Sequence, residues 1–243
     1  MRYLVISDIH ANLTALNAVL ADAGDYDHVW CLGDITGYGP EPNECIERLR
    51  ELPLTSLAGN HDWAVLGKLD LEDFNQDAHM VCLWTRDHLT PENRDFLAAL
   101  PVLLEEDGYT LVHGSPSEPV EEYVLDILTA SYNFERFNTP VCLLGHSHWP
   151  VAFMQPTDSS GLCAHIRMQP FQPLHFNSGR WMVNPGSVGQ PRDSNPQAAY
   201  AILDTDQGVW EYRRVTYPVE ETQSLMRKYR FPARLIERLS HGH

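Results

Sequence analysis

The sequence predicts an α/β protein in which a mixed β-sheet from the first half of the chain packs against a second sheet, with helices on the outside. Two observations lead to this fold class. Short apolar runs alternate with amphipathic helical patterns over the first 150 residues, and from Val151 onward strand-like segments follow one another across Gly-, Pro- and Ser-containing turns. The first pattern is typical of parallel strands joined by helices, and the second favours an antiparallel meander. No long polar linker or internal repeat interrupts the 243 residues, so we expect a single domain over residues 1–243.

The first 60 residues predict a β-α-β-α-β unit. Buried strands are expected at Arg2–Ser7, His28–Leu32 and Leu54–Ala58, where β-type residues run together. Asn12 can cap an amphipathic helix after the first strand, and residues 40–52 carry a second helical pattern. Such a unit places its three strands side by side and parallel, with right-handed crossovers.

The remaining segments predict helices first and then mostly strands. Helices are expected at Phe74–Leu89, Pro91–Leu100 and near Val124–Phe137, and one or two short helices close the chain. Strands are expected at Val102–Glu105, Tyr109–His113, Val141–Leu144, Val151–Gln155, Cys163–Met168, Trp181–Asn184, Ala198–Asp204 and Val209–Val215.

The charge balance argues against two classes of partner. The chain has 17 basic and 33 acidic residues, a formal net charge of −16. Long-range repulsion from phosphate backbones and anionic lipid therefore argues against binding of nucleic-acid polymers and against membrane docking. Phosphate chemistry stays open, because a metal centre can reverse the local field.

Cysteine usage and hydropathy predict a cytoplasmic protein. The five cysteines form no close CxxC pair, which favours buried thiols in a reducing compartment over disulfides. The opening MRYLVISDIH does not resemble a signal peptide, and no stretch reaches about 18 apolar residues.

Polar residues that can bind metal follow the predicted strands. They form five short motifs: Asp8-Ile9-His10, Gly33-Asp34, Gly59-Asn60-His61-Asp62, His113-Gly114 and Gly145-His146-Ser147-His148. Strand ends are where open α/β folds bind their ligands. In extended backbone, residues two apart leave the same face, so each D-x-H or H-x-H pair should reach one centre.

The seven candidate ligands are nitrogen and oxygen donors: Asp8, His10, Asp34, Asn60, His113, His146 and His148. Seven donors with one shared carboxylate, for which Asp34 is the natural choice, suit two divalent ions roughly 3.5–4 Å apart. Two such ions with two carboxylates give a centre of about +2, which attracts a phosphate oxyanion. Imidazole-rich sites favour transition metals, with Mn expected first and Fe, Ni, Co or Zn as alternatives.

His61 is expected to act on the substrate. In extended backbone it points away from Asn60 and its metal, which leaves its ring free to assist the leaving oxygen. Asp62 is a candidate for orienting that ring. Taken singly, each such Asp or His is more often structural, and only their ordered placement at strand ends indicates a site.

This ordered series resembles the calcineurin-like metallophosphoesterase superfamily over roughly residues 1–205, and NPGSVGQPRD at Asn184–Asp193 resembles its small prokaryotic phosphodiesterase branch. The resemblance implies a four-layer α/β/β/α sandwich of two mixed β-sheets flanked by helices. It implies one metal held by Asp8, His10, Asp34 and His148, and another held by Asp34, Asn60, His113 and His146. It also implies that His61 is the acid or transition-state stabiliser.

The sequence departs from the family pattern at one position. A second Asp often follows the bridging one by three residues, and here that position is Gly37, followed by Tyr38. We expect Tyr38 and the GYGP turn at residues 37–40 to occupy that space. On the substrate side, Tyr38 or Trp149 is expected to stack on a base or aryl group, and Arg192 to clamp phosphate.

The predicted function is hydrolysis of phosphate esters, diesters first, by a metal-bridging hydroxide with His61 assisting the leaving group. A phosphomonoesterase, including a protein phosphatase, is the alternative, because the motifs barely distinguish the two. A non-catalytic scaffold of the same fold is a third interpretation, although every ligand position keeps a competent side chain. The expected partner is a small phosphoester, for which nucleotide-derived esters are candidates, and the sequence leaves the oligomeric state open.

Overall fold

A computed structural model describes residues 1–157 and 162–243 and arranges them around two mixed six-stranded sheets. The described strands are β1 (Arg2–Ile6), β2 (His28–Cys31), β3 (Leu54–Ser56), β4 (Leu103–Glu106), β5 (Tyr109–Val112), β6 (Val141–Leu143), β7 (Pro150–Gln155), β8 (Ala164–Ile166), β9 (Pro173–His175), β10 (Arg180–Pro185), β11 (Ala198–Asp204) and β12 (Val209–Val215). The described helices are α1 (Leu13–Asp22), α2 (Pro42–Arg50), α3 (Asn60–Leu66), α4 (Gln76–His88), α5 (Pro91–Ala99), α6 (Ile127–Asn133), α7 (Val219–Lys228) and α8 (Ala233–Arg238).

The first sheet has the order β3-β2-β1-β11-β12-β9, and the second has the order β4-β5-β6-β10-β7-β8. Strands β1, β2 and β3 run parallel to one another, as the β-α-β-α-β pattern predicts. Strands β5, β6 and β10 are the parallel part of the second sheet, and the other neighbours in both sheets are antiparallel.

Apolar packing between and outside the sheets produces four layers. Tyr3 and Trp30 of the first sheet stack at 3.9 Å and pack in one buried cluster with Leu143 and Val183 of the second sheet. The outer face of the first sheet packs on a cluster that includes α1 and α2, and α6 covers the outer face of the second sheet. The predicted α/β/β/α sandwich is therefore confirmed.

The predicted division of strands between the sheets is wrong. We expected the first sheet to come from the first half of the chain, yet β4, β5 and β6 lie in the second sheet and β9, β11 and β12 lie in the first. Strand β11 pairs antiparallel with β1, with Leu4 opposite Ile202 and Val5 opposite Ala201. The β-α-β-α-β unit leaves one edge of β1 open, and β11 fits there because almost all of it is buried.

The antiparallel meander predicted after Val151 is also interrupted, because β10 pairs parallel with β6. Three described elements were not predicted: the short strand β9, the helix α3 and a one-turn 3-10 helix at Leu71–Asp73. Among the described residues, we find no helix with the length and apolar character required for a bilayer span.

Candidate metal centre

The candidate ligands follow the carboxyl ends of parallel strands from both sheets. Asp8 and His10 follow β1, Asp34 follows β2, His113 follows β5, and His146 and His148 follow β6. Asn60 is the first residue of α3, which begins shortly after β3. The parallel strands thus deliver all seven predicted ligands to one edge of the sandwich, where they are buried.

The backbone at these ligands is left-handed at five positions, where the prediction assumed extended strands. Asp8, His10, Asp34, His146 and His148 have φ values of 53°, 49°, 53°, 64° and 59°. Non-glycine residues seldom adopt positive φ, and such strain often collects at functional sites. The local chain turns sharply at each strand end to aim these side chains inward.

One group of potential ligands contains Asp8, His10, Asp34 and His148, whose donor atoms all lie within 4.8 Å of one another. His148 Nε2 is 3.3 Å from Asp8 Oδ1, and His10 Nε2 is 3.6 Å from Asp34 Oδ2. The two Nε2 atoms are themselves 3.0 Å apart. Four donors in this arrangement can surround one cation.

A second group contains Asp34, His113 and His146 within the same 4.8 Å limit. His113 Nε2 lies 3.5 Å from Asp34 Oδ2 and 3.2 Å from Asn60 Oδ1, so Asn60 adjoins this group. Asp34 belongs to both groups, which is the position of a bridging carboxylate.

The two histidines of the H-x-H motif belong to different ligand groups of the centre. His146 belongs to the second group and His148 to the first, because the backbone between them is not extended. Asp8 and His10 do share a group, although they too lack extended backbone. The premise of extended backbone was therefore wrong for both motifs, although both side chains of each motif do reach the buried cluster around Asp34.

Backbone carbonyls fix the orientation of the four histidine rings. A carbonyl oxygen can only accept a hydrogen bond, so one nitrogen of each ring donates to it: His10 Nδ1 to Thr36 (2.9 Å), His113 Nδ1 to Leu32 (2.8 Å), His146 Nε2 to Glu121 (3.0 Å) and His148 Nδ1 to Gln190 (2.5 Å). The Nε2 atoms of His10, His113 and His148 face the carboxylates of the centre. Such outer contacts are typical of metal-ligating histidines.

Several buried donor atoms of the centre lack a hydrogen-bond partner that a cation would replace. Asp8 Oδ1 and Asp34 Oδ2 are buried and make no hydrogen bond within the described residues. The facing Nε2 atoms of His10 and His148 both present lone pairs, because their Nδ1 atoms bear the protons that bond to carbonyls. Buried oxygen and nitrogen lone pairs turned toward one point are stabilised by a bound divalent ion.

Burial and mutual charge set the protonation of the metal-free site. Burial lowers the pKa values of His10 and His148, so both rings are neutral at pH 7. Burial acts against the charged forms of Asp34 and His113, but their mutual attraction prevails, lowering the pKa of Asp34 and raising that of His113 to about 9. Burial raises the pKa of Asp8 to about 7.

His61 stands beside the two groups without joining either. It lies in the first turn of α3. Its side chain therefore points away from that of Asn60 because of helical rotation, and not because of the extended backbone we assumed. Its Nδ1 lies 3.6 Å from Cys82 Sγ, its ring packs 4.4 Å from Tyr38, and burial lowers its pKa to about 4. At pH 7 the ring is therefore neutral.

Asp62 does not orient His61. Its carboxylate accepts hydrogen bonds from the backbone N–H groups of Ile35, Thr36 and Gly59 and from the Thr36 hydroxyl. It therefore joins the loop after β2 to the start of α3.

The Gly37–Tyr38 turn lies directly beside His61. A Cβ atom at Gly37 would lie only 2.4 Å from His61 Nδ1, so the absence of a side chain there makes room for the ring.

The three predicted substrate residues have different surroundings. Arg192 donates hydrogen bonds to the Tyr38 hydroxyl (3.3 Å) and Gln190 Oε1 (3.2 Å), and its buried Nε has no partner within the described residues. Tyr38 is buried against a cluster that includes α7 and α8, which limits its room to stack on a substrate. Trp149 is half exposed and is not among the residues lining the cavity beside the centre.

That cavity has a volume of about 200 Å³ and is lined by Tyr38, Asn60, His61, Asp73, Phe74, Asn75, Glu121, Tyr123 and His146. Sequence reasoning did not find its outer wall, formed by Asp73, Phe74, Asn75, Glu121 and Tyr123. These residues carry no metal-ligand spacing and follow no predicted strand, so the sequence held no signal for them.

Comparisons with protein families and with curated sequences each match most of the chain. A family model described as the calcineurin-like phosphoesterase superfamily domain matches residues 1–208. The chain is 38% identical over 246 aligned positions to an uncharacterized protein of Methanocaldococcus jannaschii, covering 98% of this chain and 97% of that protein.

Two solved structures share the whole fold. A metallophosphoesterase from Sphaerobacter thermophilus has a TM-score of 0.90 and 44% identity, covering 100% of this chain and 99% of its own. A hypothetical protein from Pyrococcus horikoshii has a TM-score of 0.81 at 21% identity, covering 100% and 98%, and shows likeness of fold alone.

Proposed function

This chain belongs to the calcineurin-like phosphoesterase superfamily, and on that premise we propose that it is a dinuclear metal-dependent phosphodiesterase. The observation that carries the proposal is the position of Asp34, which is common to two buried groups of potential ligands. The proposed substrates are small phosphoesters, with nucleotide-derived diesters as candidates. Five buried free cysteines support a reducing, cytoplasmic location.

Each ion has its own set of ligands in this proposal. Asp8, His10, Asp34 and His148 would hold one, and Asp34, Asn60, His113 and His146 the other. When bound, two divalent ions supply a charge of about +2 after the two carboxylates and activate a water near neutral pH. The four imidazoles favour Mn, Fe, Co, Ni or Zn over Mg and Ca.

His61 assists the leaving oxygen in this mechanism. It lines the cavity, lies outside both ligand groups and is neutral at pH 7. A ring N–H can stabilise the negative charge that develops on the leaving oxygen as its bond to phosphorus breaks. The contacts with Tyr38 and Cys82 hold the ring in place while this happens.

Arg192 is proposed to neutralise a non-bridging phosphate oxygen. Burial lowers the pKa of His148 most, and the positive charge of Arg192 lowers it further, so the guanidinium acts on the centre. Arg192 makes no ion pair within the described residues, and its buried Nε lacks a partner. A guanidinium with unused donors suits bidentate recognition of phosphate.

The test compares a diester with a monoester bearing the same leaving group. Metal-free protein is loaded with Mn²⁺ and assayed with bis(p-nitrophenyl) phosphate and with p-nitrophenyl phosphate. The proposal predicts the larger kcat/KM for the diester and loss of both activities on chelation. A much larger kcat/KM for the monoester would contradict it and favour a phosphomonoesterase, and failure to bind metal would favour a scaffold.

A further inference from the structure

One wall of the cavity is an aromatic ring with an open face. Tyr123 stacks on the ring of His146, with centroids 3.9 Å apart and an angle of 16° between the planes. Tyr123 is nevertheless 46% exposed, and it lines the cavity together with His61. One face of the ring is thus held against a metal-ligand candidate while the other is accessible from the cavity.

The segment that carries Tyr123 is fixed before any ligand arrives. The Glu121 carbonyl accepts the bond from His146 Nε2. The Glu122 carboxylate accepts from the Ser115 hydroxyl and, at 2.7 Å, from Asn133 Nδ2. A ring that is already ordered costs less entropy to use in binding than a mobile one.

The same cavity has an acidic lining. Asp73 and Glu121 both line it, and no Lys or Arg is among its lining residues within the described chain. In a protein of net charge −16, this wall repels a ligand arm that bears its own negative charge. Stacking on a planar group remains favourable there, because it needs no countercharge.

We propose that Tyr123 is a specificity-determining residue whose free face stacks on a planar, uncharged aromatic group of the substrate. The inference rests on the proposed function, since it concerns one arm of the phosphoester bound at the same centre. It predicts that aryl or nucleoside arms are favoured over alkyl arms and over arms bearing further negative charge.

The experiment measures binding and needs no turnover. Calorimetry gives the dissociation constants of phenylphosphonate and methylphosphonate for the Mn²⁺-loaded protein. Because both constants are measured on the same variant, a change in the metal centre that weakens both ligands cancels in their ratio. The natural protein is expected to bind phenylphosphonate about tenfold more tightly, within the range known for ring stacking. Tyr123→Phe should keep that ratio and Tyr123→Ala should bring it to within about twofold of one.

Tyr132→Ala is the matched control, because Tyr132 is a 51% exposed tyrosine on α6 outside the cavity lining, and it should keep the ratio. A ratio near one in the natural protein, or an unchanged ratio in Tyr123→Ala, would overturn the inference. Absence of diester hydrolysis with the expected ratios would overturn only the proposed function.

A charged probe tests the acidic wall. 4-Carboxyphenylphosphonate should bind several-fold more weakly than phenylphosphonate, and Glu121→Gln should reduce that difference while keeping the carbonyl that contacts His146. Equal binding of the two probes to the natural protein would contradict the role of the carboxylates.

Discussion

Asp34 is held by its neighbours more tightly than its sequence motif suggests. Its Oδ1 accepts a hydrogen bond from the His61 backbone N–H at 2.9 Å, which leaves Oδ2 to face both ligand groups. A Cβ atom at Gly59 would lie 2.1 Å from Asp34 Oδ1, so the glycine before Asn60 is needed for close approach. The sequence identified these residues, but it could not show that Gly59 makes room for Asp34.

Replacing Gly59 tests that contact. Gly59→Ala should push the Asp34 carboxylate from its position, cost about 1–3 kcal/mol of unfolding free energy and reduce bound metal below two ions per chain. Gly24→Ala is the control. Its φ of 71° also disfavours a side chain, but no atom lies within 4 Å of the added Cβ. It should lower stability by about 1 kcal/mol and leave metal content unchanged, as measured by elemental analysis.

Asn60 and His61 are neighbours with separate predicted roles. Asn60→Ala should weaken the binding of one ion, because its Oδ1 lies beside His113 in the second group. His61→Ala should keep both ions and lower kcat by about 10²–10⁴-fold, the usual contribution of such a group. Loss of metal from His61→Ala, seen by elemental analysis, would show that its role is misassigned.

At the scale of elements, predictions based on strand alternation failed at the turns after the strands and at the start of α3. Rules of alternation apply only to extended backbone, whereas the chain turns left-handed at Asp8, His146 and His148 and becomes helical at Asn60. The pattern could predict that polar residues meet at strand ends, because parallel strands share an edge. It could not predict which ligand group each side chain joins, because that depends on turns formed after the strands end.

Asp62 anchors α3 to the loop after β2 and should matter for stability. Asp62→Ala removes a buried carboxylate and leaves four donors without their acceptor, so a loss of about 3 kcal/mol in unfolding free energy is expected. Asp126→Ala, which removes the exposed cap of α6, should cost only about 1 kcal/mol. Equal losses in urea unfolding would contradict the anchoring role.

At the scale of the whole molecule, the sequence predicted the fold class better than the pairing of strands. Alternation of apolar runs and helices, and the motif series, indicated two sheets with outer helices. Membership in each sheet depends on long-range pairing such as that of β1 with β11, where both strands are apolar and no local signal names the partner. The five residues of the outer cavity wall were missed for the same reason, since the fold alone brings them together.

The buried histidines make the metal-free protein sensitive to acid. Burial lowers the pKa values of His10, His61, His146 and His148, so the unfolded chain binds more protons than the folded one below pH 6.5. Asp8 acts in the opposite direction, because burial raises its pKa to about 7 and the folded state keeps that proton.

The four histidines outnumber Asp8 and Asp62, the buried carboxyl groups of the site whose pKa values burial raises, so the unfolding free energy should fall between pH 6.5 and pH 5. Above pH 7, His113 adds a loss of stability that grows as pH rises through its pKa of about 9. Urea unfolding of chelator-treated protein at several pH values measures both the loss of stability in acid and the loss above pH 7. Constant or greater stability at pH 5 would contradict the protonation states given to these rings.

The most direct measurement of the central claim is electron paramagnetic resonance of the protein loaded with Mn²⁺. If Asp34 joins two ions, the natural protein will bind two Mn²⁺ per chain and give the spectrum of a spin-coupled pair, and Asp34→Ala will lose that spectrum. A spectrum of isolated Mn²⁺ from the fully loaded natural protein, or a stoichiometry of one, would contradict the account.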